Sequence, residues 1–204
     1  MQYPKSYLVW DLETTGLDPK RDRILEVAFT SVVDGRVTSE YSAILNHDIE
    51  IPEEASRIHG ITKEKTLLEG RNPAEVLDIL VEEIDACQMM VTHNGIMFDR
   101  FFLMEELLRL GYHPLRVELI GKKMAEYHFD TAGFFKARKL GLEQQENESF
   151  ADLAQRAFNV RAYGLKYNVK ACCEDLGVDM TGIAQHRAMG DVILTQRIYK
   201  KLTE

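Results

Sequence analysis

Two carboxylates, Asp11 and Glu13, follow an apolar run and precede a Thr-Thr-Gly turn. Because side chains alternate across a β-strand, positions 11 and 13 of one strand point to the same side of the sheet. Two neighbouring acids repel each other, and burying both without a cationic partner is costly. No Lys or Arg follows within the turn. We therefore predict that the pair binds a divalent cation, which prefers oxygen ligands.

A second candidate stretch, residues 93–99, places a histidine, an asparagine and an aspartate after a short apolar segment. The strand predicted for residues 88–92 leads into His93 and Asn94, a glycine then allows a tight turn, and Asp99 begins the next helix. A carboxylate at a helix N-terminus stabilises the helix dipole. The same position also suits a metal ligand beside the end of the first strand, and this stretch alone supports both interpretations equally.

The third candidate stretch runs from His186 to Asp191 at the start of the last predicted helix. At about 100° per residue, five helical positions would separate the two side chains by roughly 140°, so they would not share a face. We therefore place His186 in the loop before the helix and Asp191 on the inner side of the helix. The alternative interpretation is a solvent-exposed histidine and a surface acid without function. Either residue, taken alone, would fit it equally well.

Hydrophobic patterns and turn signals predict the elements that must position these residues. Strands are predicted for residues 6–11, 23–33 and 36–45. Asp34-Gly35 is a typical two-residue hairpin turn between the last two. The first three strands are therefore expected to form an antiparallel meander.

A helical crossover is then predicted to return the chain to the sheet. Asn72 caps a predicted helix that ends near Ala86, and residues 88–92 are predicted to form a short buried strand. A helix followed by a strand is the crossover connection that parallel strand pairing requires. A fifth strand is predicted to end at residues 129–131, and residues 112–128 receive no predicted element. Short helical turns are predicted for 52–70, a loop for 141–149, and helices for 98–110, 131–140, 150–158, 169–176 and 189–202.

Length and composition indicate one globular domain over residues 1–204. Hydrophobic residues make up 45% and charged residues 28% of the chain, which are ordinary values for such a domain. No apolar run approaches the roughly 18 residues of a membrane span, and the N-terminus lacks a signal-peptide pattern. We therefore expect a cytoplasmic protein without membrane contact. Its cysteines, Cys87, Cys172 and Cys173, lack Cys-x-x-Cys spacing and are expected to pack as small apolar side chains.

The net charge of −8 argues against a protein that coats nucleic acid through bulk electrostatics. The charge is uneven, however, because residues 121–170 carry nine basic and six acidic side chains. This basic middle segment could face a phosphate backbone, and a solvated surface explains it equally well. Its cationic residues are Lys122, Lys123, Lys136, Arg138, Lys139, Arg156, Arg161, Lys166 and Lys170.

In this order, the three stretches resemble the motifs of the DEDDh, or DnaQ-like, family of 3′–5′ exonucleases. That family includes the proofreading subunits of bacterial replicative polymerases such as DNA polymerase III. Residues 11–16 match D-x-E-T-T-G, residues 93–99 match the longer form of H-N-x-x-F-D, and residues 186–191 match H-x-A-x-x-D. Residues 58–62 are similar to the I-H-G-I-T element of these enzymes. One departure is Val192, where many relatives have alanine, and we expect it to affect packing only.

The resemblance implies an α/β, ribonuclease-H-like fold, with a mixed five-stranded sheet (an antiparallel meander plus parallel strands) flanked by helices. It also implies two Mg²⁺ or Mn²⁺ ions per active site, with His186 as the general base that activates the attacking water. The carboxylates that would hold the ions are Asp11, Glu13, Asp99 and Asp191. The residues that would seat the terminal nucleotide and its 3′ end are Thr14, Thr15, Gly16, Leu17, His59 and Asn94.

The implied reaction is hydrolysis of phosphodiester bonds from the 3′ end of single-stranded or mismatched DNA, which releases nucleoside 5′-monophosphates. Two cations roughly 4 Å apart would stabilise the nucleophile and the departing 3′ oxygen, and histidine suits proton abstraction near neutral pH. The implied partners are DNA 3′ ends and a polymerase or another nucleic-acid-processing protein. The alternatives are an exoribonuclease of the same family and a catalytically silent nucleic-acid-binding module. A haloacid-dehalogenase-type phosphatase is disfavoured because its motif needs D-x-D.

Overall fold

The computed structural model describes residues 3–204, so that Met1 and Gln2 of the expected single domain lie outside the described residues. Five strands form a central sheet: β1 (Tyr7–Thr14), β2 (Ile24–Val33), β3 (Arg36–Ile44), β4 (Met90–Thr92) and β5 (His128–Asp130). Their order across the sheet is β3-β2-β1-β4-β5. The pairs β1–β2 and β2–β3 are antiparallel, whereas β1–β4 and β4–β5 are parallel. The predicted mixed sheet, with its meander and parallel strands, is confirmed.

Helices cover both faces of this sheet. The two short helices of the segment 52–70 precede a longer crossover helix and a row of helices in the second half of the chain. The helices are α1 (Glu53–His59), α2 (Lys63–Glu69), α3 (Pro73–Ala86), α4 (Asp99–Arg109), α5 (Pro114–Glu126), α6 (Thr131–Lys139), α7 (Phe150–Asn159), α8 (Val169–Leu176) and α9 (Ala188–Thr203).

Strand β1 divides the interior into two cores because its side chains alternate. Its even-numbered apolar residues face the first core, which α3, α4 and α5 complete. Its odd-numbered residues Tyr7 and Val9 face the second core, which α8 and α9 cover. Asp11 and Glu13 continue the odd-numbered row, so they lie on the α9 side of the sheet. This placement allows a residue of α9 to approach them.

Strand β1 is longer than the sequence predicted, and the prediction that it ends at Asp11 is wrong. The strand continues to Thr14 because Leu12 is buried in the first core and because pairing with β2 persists, with Glu13 opposite Glu26. Both acids of the first motif therefore lie within a paired strand. Their backbone is fixed by the sheet and not by the following turn.

Helix α5 occupies a segment for which no element was predicted from the sequence. Its side chains Val117, Ile120 and Met124 are buried against the first core and recur at helical spacing. Gly121, a poor helix former, stands in the middle of this pattern, next to two lysines. The apolar stripe is consequently short, and the helix can be recognised only from its packing against α3 and α4 in the folded protein.

Two further sequence expectations concern membrane contact and the cysteines. Within residues 3–204, no helix has the combination of length and hydropathy that crossing a bilayer demands. Cys172 and Cys173 are buried in the second core, and Cys87 packs against the first. Burial raises the pKa of Cys87 and that of Cys173 to about 11, so these thiols stay protonated near neutral pH and pack as predicted.

Candidate metal centre and active site

Three carboxylates converge above the α9 side of the sheet. Asp11 and Glu13 project from the same face of β1, as predicted, and Asp191 projects from the first turn of α9. One ligand oxygen from each of these side chains lies within 4.8 Å of the others. Three oxygen donors at this spacing can hold a hard divalent cation between them.

Asp99, the fourth predicted ligand, lies beside this group but outside it. It begins α4 and is only 3% exposed. Among neighbouring charges, Asp99 contributes most to raising the pKa of Asp11, and Asp191 contributes next. The four predicted carboxylates therefore form one electrostatic cluster, with Asp99 as its most buried member.

The cluster is strongly destabilised when all of its members are ionised. Burial first, and the neighbouring acids in addition, raise the pKa of Glu13 to about 8 and that of Asp99 to about 7. The pKa of Asp11 is raised well above its usual range, first by burial and then by Asp99, Asp191 and Glu13. A group of oxygen donors with this much unbalanced negative charge fits the requirements of Mg²⁺ or Mn²⁺.

We expect metal binding to release protons near neutral pH, because the ions bind the deprotonated carboxylates. Glu13 and Asp99, with pKa values of about 8 and about 7, hold protons at pH 7 that a cation must displace. Affinity should therefore fall as the pH is lowered, and proton release should decline as the pH rises from about 7 to about 9. Calorimetric titration of Mn²⁺ in buffers of different ionisation enthalpy measures both effects. Binding at pH 7 without proton release would contradict the raised pKa values.

An ion pair with a buried carboxylate attaches the third motif to the sheet. Arg187 donates to both carboxylate oxygens of Glu26 in β2, from Nη2 at 2.7 Å and from Nε at 3.1 Å. The backbone N–H of Ala188 donates to the same carboxylate at 3.1 Å. Glu26 is 1% exposed and the Arg187 side chain 37%, so the carboxylate is desolvated and the bidentate contact restricts its geometry. It fixes the start of α9, and hence Asp191, relative to β1 and β2.

His186 lies in the loop before α9, where the sequence placed it. Its backbone has φ = 58°, a left-handed conformation that is uncommon for a residue with a side chain. Its backbone N–H donates to Oδ2 of Asp191 at 3.1 Å. Gly190 is required below this loop, since a Cβ there would lie 1.8 Å from the carbonyl oxygen of Ala184. The loop thus rests directly on the first turn of α9, with the histidine side chain exposed.

The second motif is held by a buried carboxylate, Asp130, at the end of β5. Its oxygens accept hydrogen bonds from the backbone N–H groups of Asn94 at 3.0 Å and of Ile96 at 3.1 Å. Asn94 has φ = 67°, and the next residue must be glycine because a Cβ at Gly95 would lie 2.3 Å from Oγ1 of Thr92. These contacts define the turn that leads from β4 into Asp99.

The Thr-Thr-Gly segment is closed by a second loop of the chain. The Thr15 hydroxyl donates to Oδ1 of Asp22 at 3.2 Å and accepts from the backbone N–H of Arg23 at 3.0 Å. The Thr14 hydroxyl donates to the carbonyl of Gly16 at 2.7 Å. Both threonines are buried, so the segment is a rigid extension of β1.

Leu17 and His59, the other two residues predicted to contact the nucleotide here, differ in exposure. Leu17 is 84% exposed, so its side chain is accessible to a ligand. His59 is buried, and the burial lowers its pKa. Nδ1 of His59 accepts from the backbone N–H of Ile61 at 3.0 Å, whereas its Nε2 makes no hydrogen bond of good geometry among residues 3–204 and has only the backbone of Thr14 nearby. An unsatisfied buried nitrogen of this kind calls for a partner.

A cavity of about 440 Å³ opens beside the cluster. Asp191 and His186 line one side, Asn94 lines another, and Tyr167 with Lys170 lines the side formed by the segment around the start of α8. The predicted base, one predicted ligand and one predicted substrate-binding residue therefore share one accessible volume. A phosphodiester that entered it would meet the carboxylate of Asp191 and the ammonium group of Lys170.

The sequence did not identify Glu26, Asp130 and Arg187 as parts of this site. The signal for Glu26 was present, because it is a lone acid inside an apolar run, and such a residue needs a buried partner. Asp130 was recognised only as the end of a strand. Arg187 lies inside the third motif at a position that the motif leaves undefined. Their partners come from distant segments, so no local pattern reveals them.

Comparison with known proteins places the chain in a family. The RNase_T family model, described as an exonuclease, matches residues 8–199. The DNA polymerase III PolC-type of Thermotoga petrophila is 27% identical over 98% of this chain, which spans only 12% of that protein. The DNA polymerase III subunit epsilon of Rickettsia felis is 29% identical over 96% of this chain, and the match covers 73% of it.

Solved structures share the fold. Exonuclease I of E. coli in complex with a dT13 oligonucleotide superposes with a TM-score of 0.72 at 20% identity, over 98% of this chain and 41% of that chain. Exonuclease I without ligand gives a TM-score of 0.70 over 98% of this chain and 42% of that chain. At this level of identity the likeness confirms the ribonuclease-H-like architecture. With a family model that matches nearly the whole sequence, the chain belongs to the DnaQ-like family of 3′–5′ exonucleases.

Proposed function

We propose that this chain hydrolyses phosphodiester bonds from the 3′ end of single-stranded or mismatched DNA and releases nucleoside 5′-monophosphates. The observation that carries the proposal is the convergence of Asp11, Glu13 and Asp191 within 4.8 Å, with Asp99 next to them. His186 and Asn94 share the cavity with Asp191. The residues expected from three separate motifs thus meet at one accessible place.

The proposed ligands are the four carboxylates of the cluster, for two Mg²⁺ or Mn²⁺ ions. When bound, the ions would supply charge neutralisation at the scissile phosphate and at the departing oxygen. Asp11 and Glu13 would hold them from a paired strand, and Asp99 and Asp191 from the first turns of two helices. Ligands that rest on regular elements keep their geometry when substrate binds.

His186 is the proposed general base. Its side chain is exposed to the cavity, and its backbone is tied to Asp191 at 3.1 Å. An imidazole in this place can accept the proton of the attacking water and pass it to solvent. The hydrogen bond to Asp191 uses only the backbone of His186, so the side chain stays free for this proton transfer.

The proposed seat of the terminal nucleotide is the segment Thr14–Leu17. The threonine hydroxyls are engaged within the protein, which leaves backbone groups and the exposed Leu17 side chain to meet a sugar and a base. The unpaired Nε2 of the buried His59 and the cavity-lining Asn94 would place the 3′ end. An unsatisfied nitrogen at such a site gains a partner when substrate binds.

DNA is the preferred substrate class because matching relatives include DNA polymerase III proteins and because exonuclease I is seen with a DNA oligonucleotide. RNA is the second candidate, since discrimination depends on contacts to the 2′-hydroxyl. A polymerase is a proposed partner for the same reason. The cytoplasmic location stays a prediction from the sequence.

The experiment is a comparison of four 5′-labelled substrates under Mg²⁺, Mn²⁺ and EDTA: single-stranded DNA, a matched duplex, a duplex with a 3′ mismatch, and RNA. We expect stepwise shortening from the 3′ end of single-stranded and mismatched DNA, and none in EDTA. Faster shortening of RNA than of DNA would assign the chain to the RNA alternative. Binding of DNA without cleavage under either metal would favour the silent binding module.

A further inference from the structure

The loop that joins α7 to α8, together with the first turn of α8, presents cations and an aromatic ring to solvent. Arg161, Lys166 and Lys170 are exposed, and none of them forms a salt bridge with a carboxylate among residues 3–204. Tyr163 is 90% exposed, more than any other large apolar or aromatic side chain in the described part of the chain. The net charge of the whole chain is −8, so three exposed cations without a carboxylate partner among the described residues give this surface a charge opposite to that of the molecule.

This surface is continuous with the candidate active site. Lys170 and Tyr167 line the cavity that also contains His186 and Asp191. Tyr167 in addition lines a neighbouring cavity of about 480 Å³, whose wall includes Arg161 and Tyr163. A nucleic-acid strand that extends from the carboxylate cluster past Lys170 would therefore pass Tyr167 and reach the exposed ring of Tyr163.

Buried contacts hold the loop in place beside the active site. Nε2 of His93, which precedes Asn94 in the second motif, donates to the carbonyl oxygen of Tyr167 at 2.8 Å. Since a carbonyl oxygen can only accept, this contact fixes the proton of the neutral ring on Nε2. The second nitrogen, Nδ1, lies 2.9 Å from Oγ1 of Thr131. The position of Tyr167 is thereby coupled to the turn that carries the active-site residues.

A buried lysine strengthens the positive character of the same wall. Lys136 is 4% exposed and lines the second cavity. Its Nζ lies 5.0 Å from the ring centroid of Tyr167 and 6.0 Å from that of Phe158, and it donates to the carbonyl of Phe158 at 3.3 Å. No carboxylate among residues 3–204 forms a salt bridge with it. The cation–π contacts hold its charge beneath the loop.

We propose that the surface formed by Arg161, Tyr163, Lys166 and Lys170 binds the single-stranded DNA that precedes the 3′-terminal nucleotide. The cations would contact successive phosphates, and an unpaired base would stack on Tyr163, the combination by which single strands are bound without sequence preference. A paired base offers no free face for this contact, so the surface selects single-stranded or frayed ends. The inference rests on the proposed exonuclease function, because it extends the substrate of that same site. The alternative interpretation is that these four side chains form a solvated surface that does not contact the substrate.

The test compares two substrates. The p-nitrophenyl ester of thymidine 5′-monophosphate can occupy the terminal site but has no preceding strand, whereas a thymidine oligonucleotide has both parts. We expect Arg161→Glu and Tyr163→Ala each to lower kcat/KM for the oligonucleotide relative to that for the ester by about ten-fold, mainly through KM. Tyr163→Phe should retain the wild-type ratio, because it keeps the stacking face. Lys200→Glu and Tyr127→Ala, exposed positions elsewhere on the molecule, are the matched controls.

Each outcome separates the inference from the function on which it rests. If the wild-type protein hydrolyses neither substrate, the proposed exonuclease function fails. If it hydrolyses both, and Arg161→Glu and Tyr163→Ala behave like their controls, the proposed strand-binding surface is overturned and the loop is a solvated face. If both variants lower turnover of the ester as much as that of the oligonucleotide, the loop supports the active site itself, and the proposal is again overturned.

Discussion

Replacing Asp11 by asparagine should abolish metal-dependent hydrolysis and at the same time make the metal-free protein more stable. Asp11 is one of three carboxylates that meet within 4.8 Å, so its loss removes a charged donor from the centre of the cluster. Loss of one preorganised electrostatic contact costs about a thousand-fold in rate in well-studied active sites. We expect a decrease of at least about that size here.

The gain in stability follows from the raised pKa of Asp11, which is caused first by burial and then by the neighbouring acids. A carboxyl whose pKa is higher in the folded state than in the unfolded state destabilises the fold whenever it is ionised. This penalty grows as the pH rises from the unfolded pKa towards the folded one. Asparagine has the same shape and no charge. Its advantage should therefore be small near pH 4 and increase towards alkaline pH.

Thermal unfolding in EDTA measures this effect, and we expect the Tm of Asp11→Asn to rise by about 2–4 °C at pH 8, the shift that ~1 kcal/mol produces in a chain of this size. Mg²⁺ should stabilise the wild-type protein and leave the variant nearly unchanged. Asp34→Asn is the matched control, because Asp34 lies in the exposed hairpin turn at φ = 50°, which asparagine tolerates. A variant that is less stable than the wild type without metal would show that Asp11 is satisfied within the protein.

Replacing His186 should leave metal binding intact and remove most of the rate. The three-carboxylate group does not include His186, and only its backbone contacts Asp191. Loss of a general base lowers rates by about 10²–10⁴-fold. Metal affinity, measured by calorimetry, should stay within about two-fold of the wild-type value, since no charged donor is lost.

The choice of substitution matters because residue 186 has a left-handed backbone. Alanine in this conformation is strained, whereas asparagine adopts it readily. His186→Asn therefore keeps the loop and removes the base, and His186→Ala adds a backbone penalty that a small fall in Tm would report. If His186→Asn fails to bind metal, the histidine is a ligand and the proposed role is wrong. If it retains the wild-type rate, another group takes the proton.

Much of the fold was readable in the sequence because its signals are local. The hairpin at Asp34-Gly35, the capped helix after Asn72 and the strand that precedes His93 all depend on neighbouring residues, and the structure contains each of them. The end of β1 and the presence of α5 were not predicted correctly, because pairing with β2 and packing against α3 and α4 decide them. A local pattern carries no information about such partners.

The candidate carboxylates and the candidate histidine were predicted from the sequence alone, because strand alternation sets Asp11 beside Glu13 and motif spacing marks Asp99, His186 and Asp191. The tertiary structure decided how they meet. It placed the odd-numbered face of β1 under α9, set Asp99 deeper than the other three acids, and joined Glu26 to Arg187 across the site. These are contacts between residues far apart in the chain, and their energies depend on burial and on neighbouring charge, which exist only once the chain has folded.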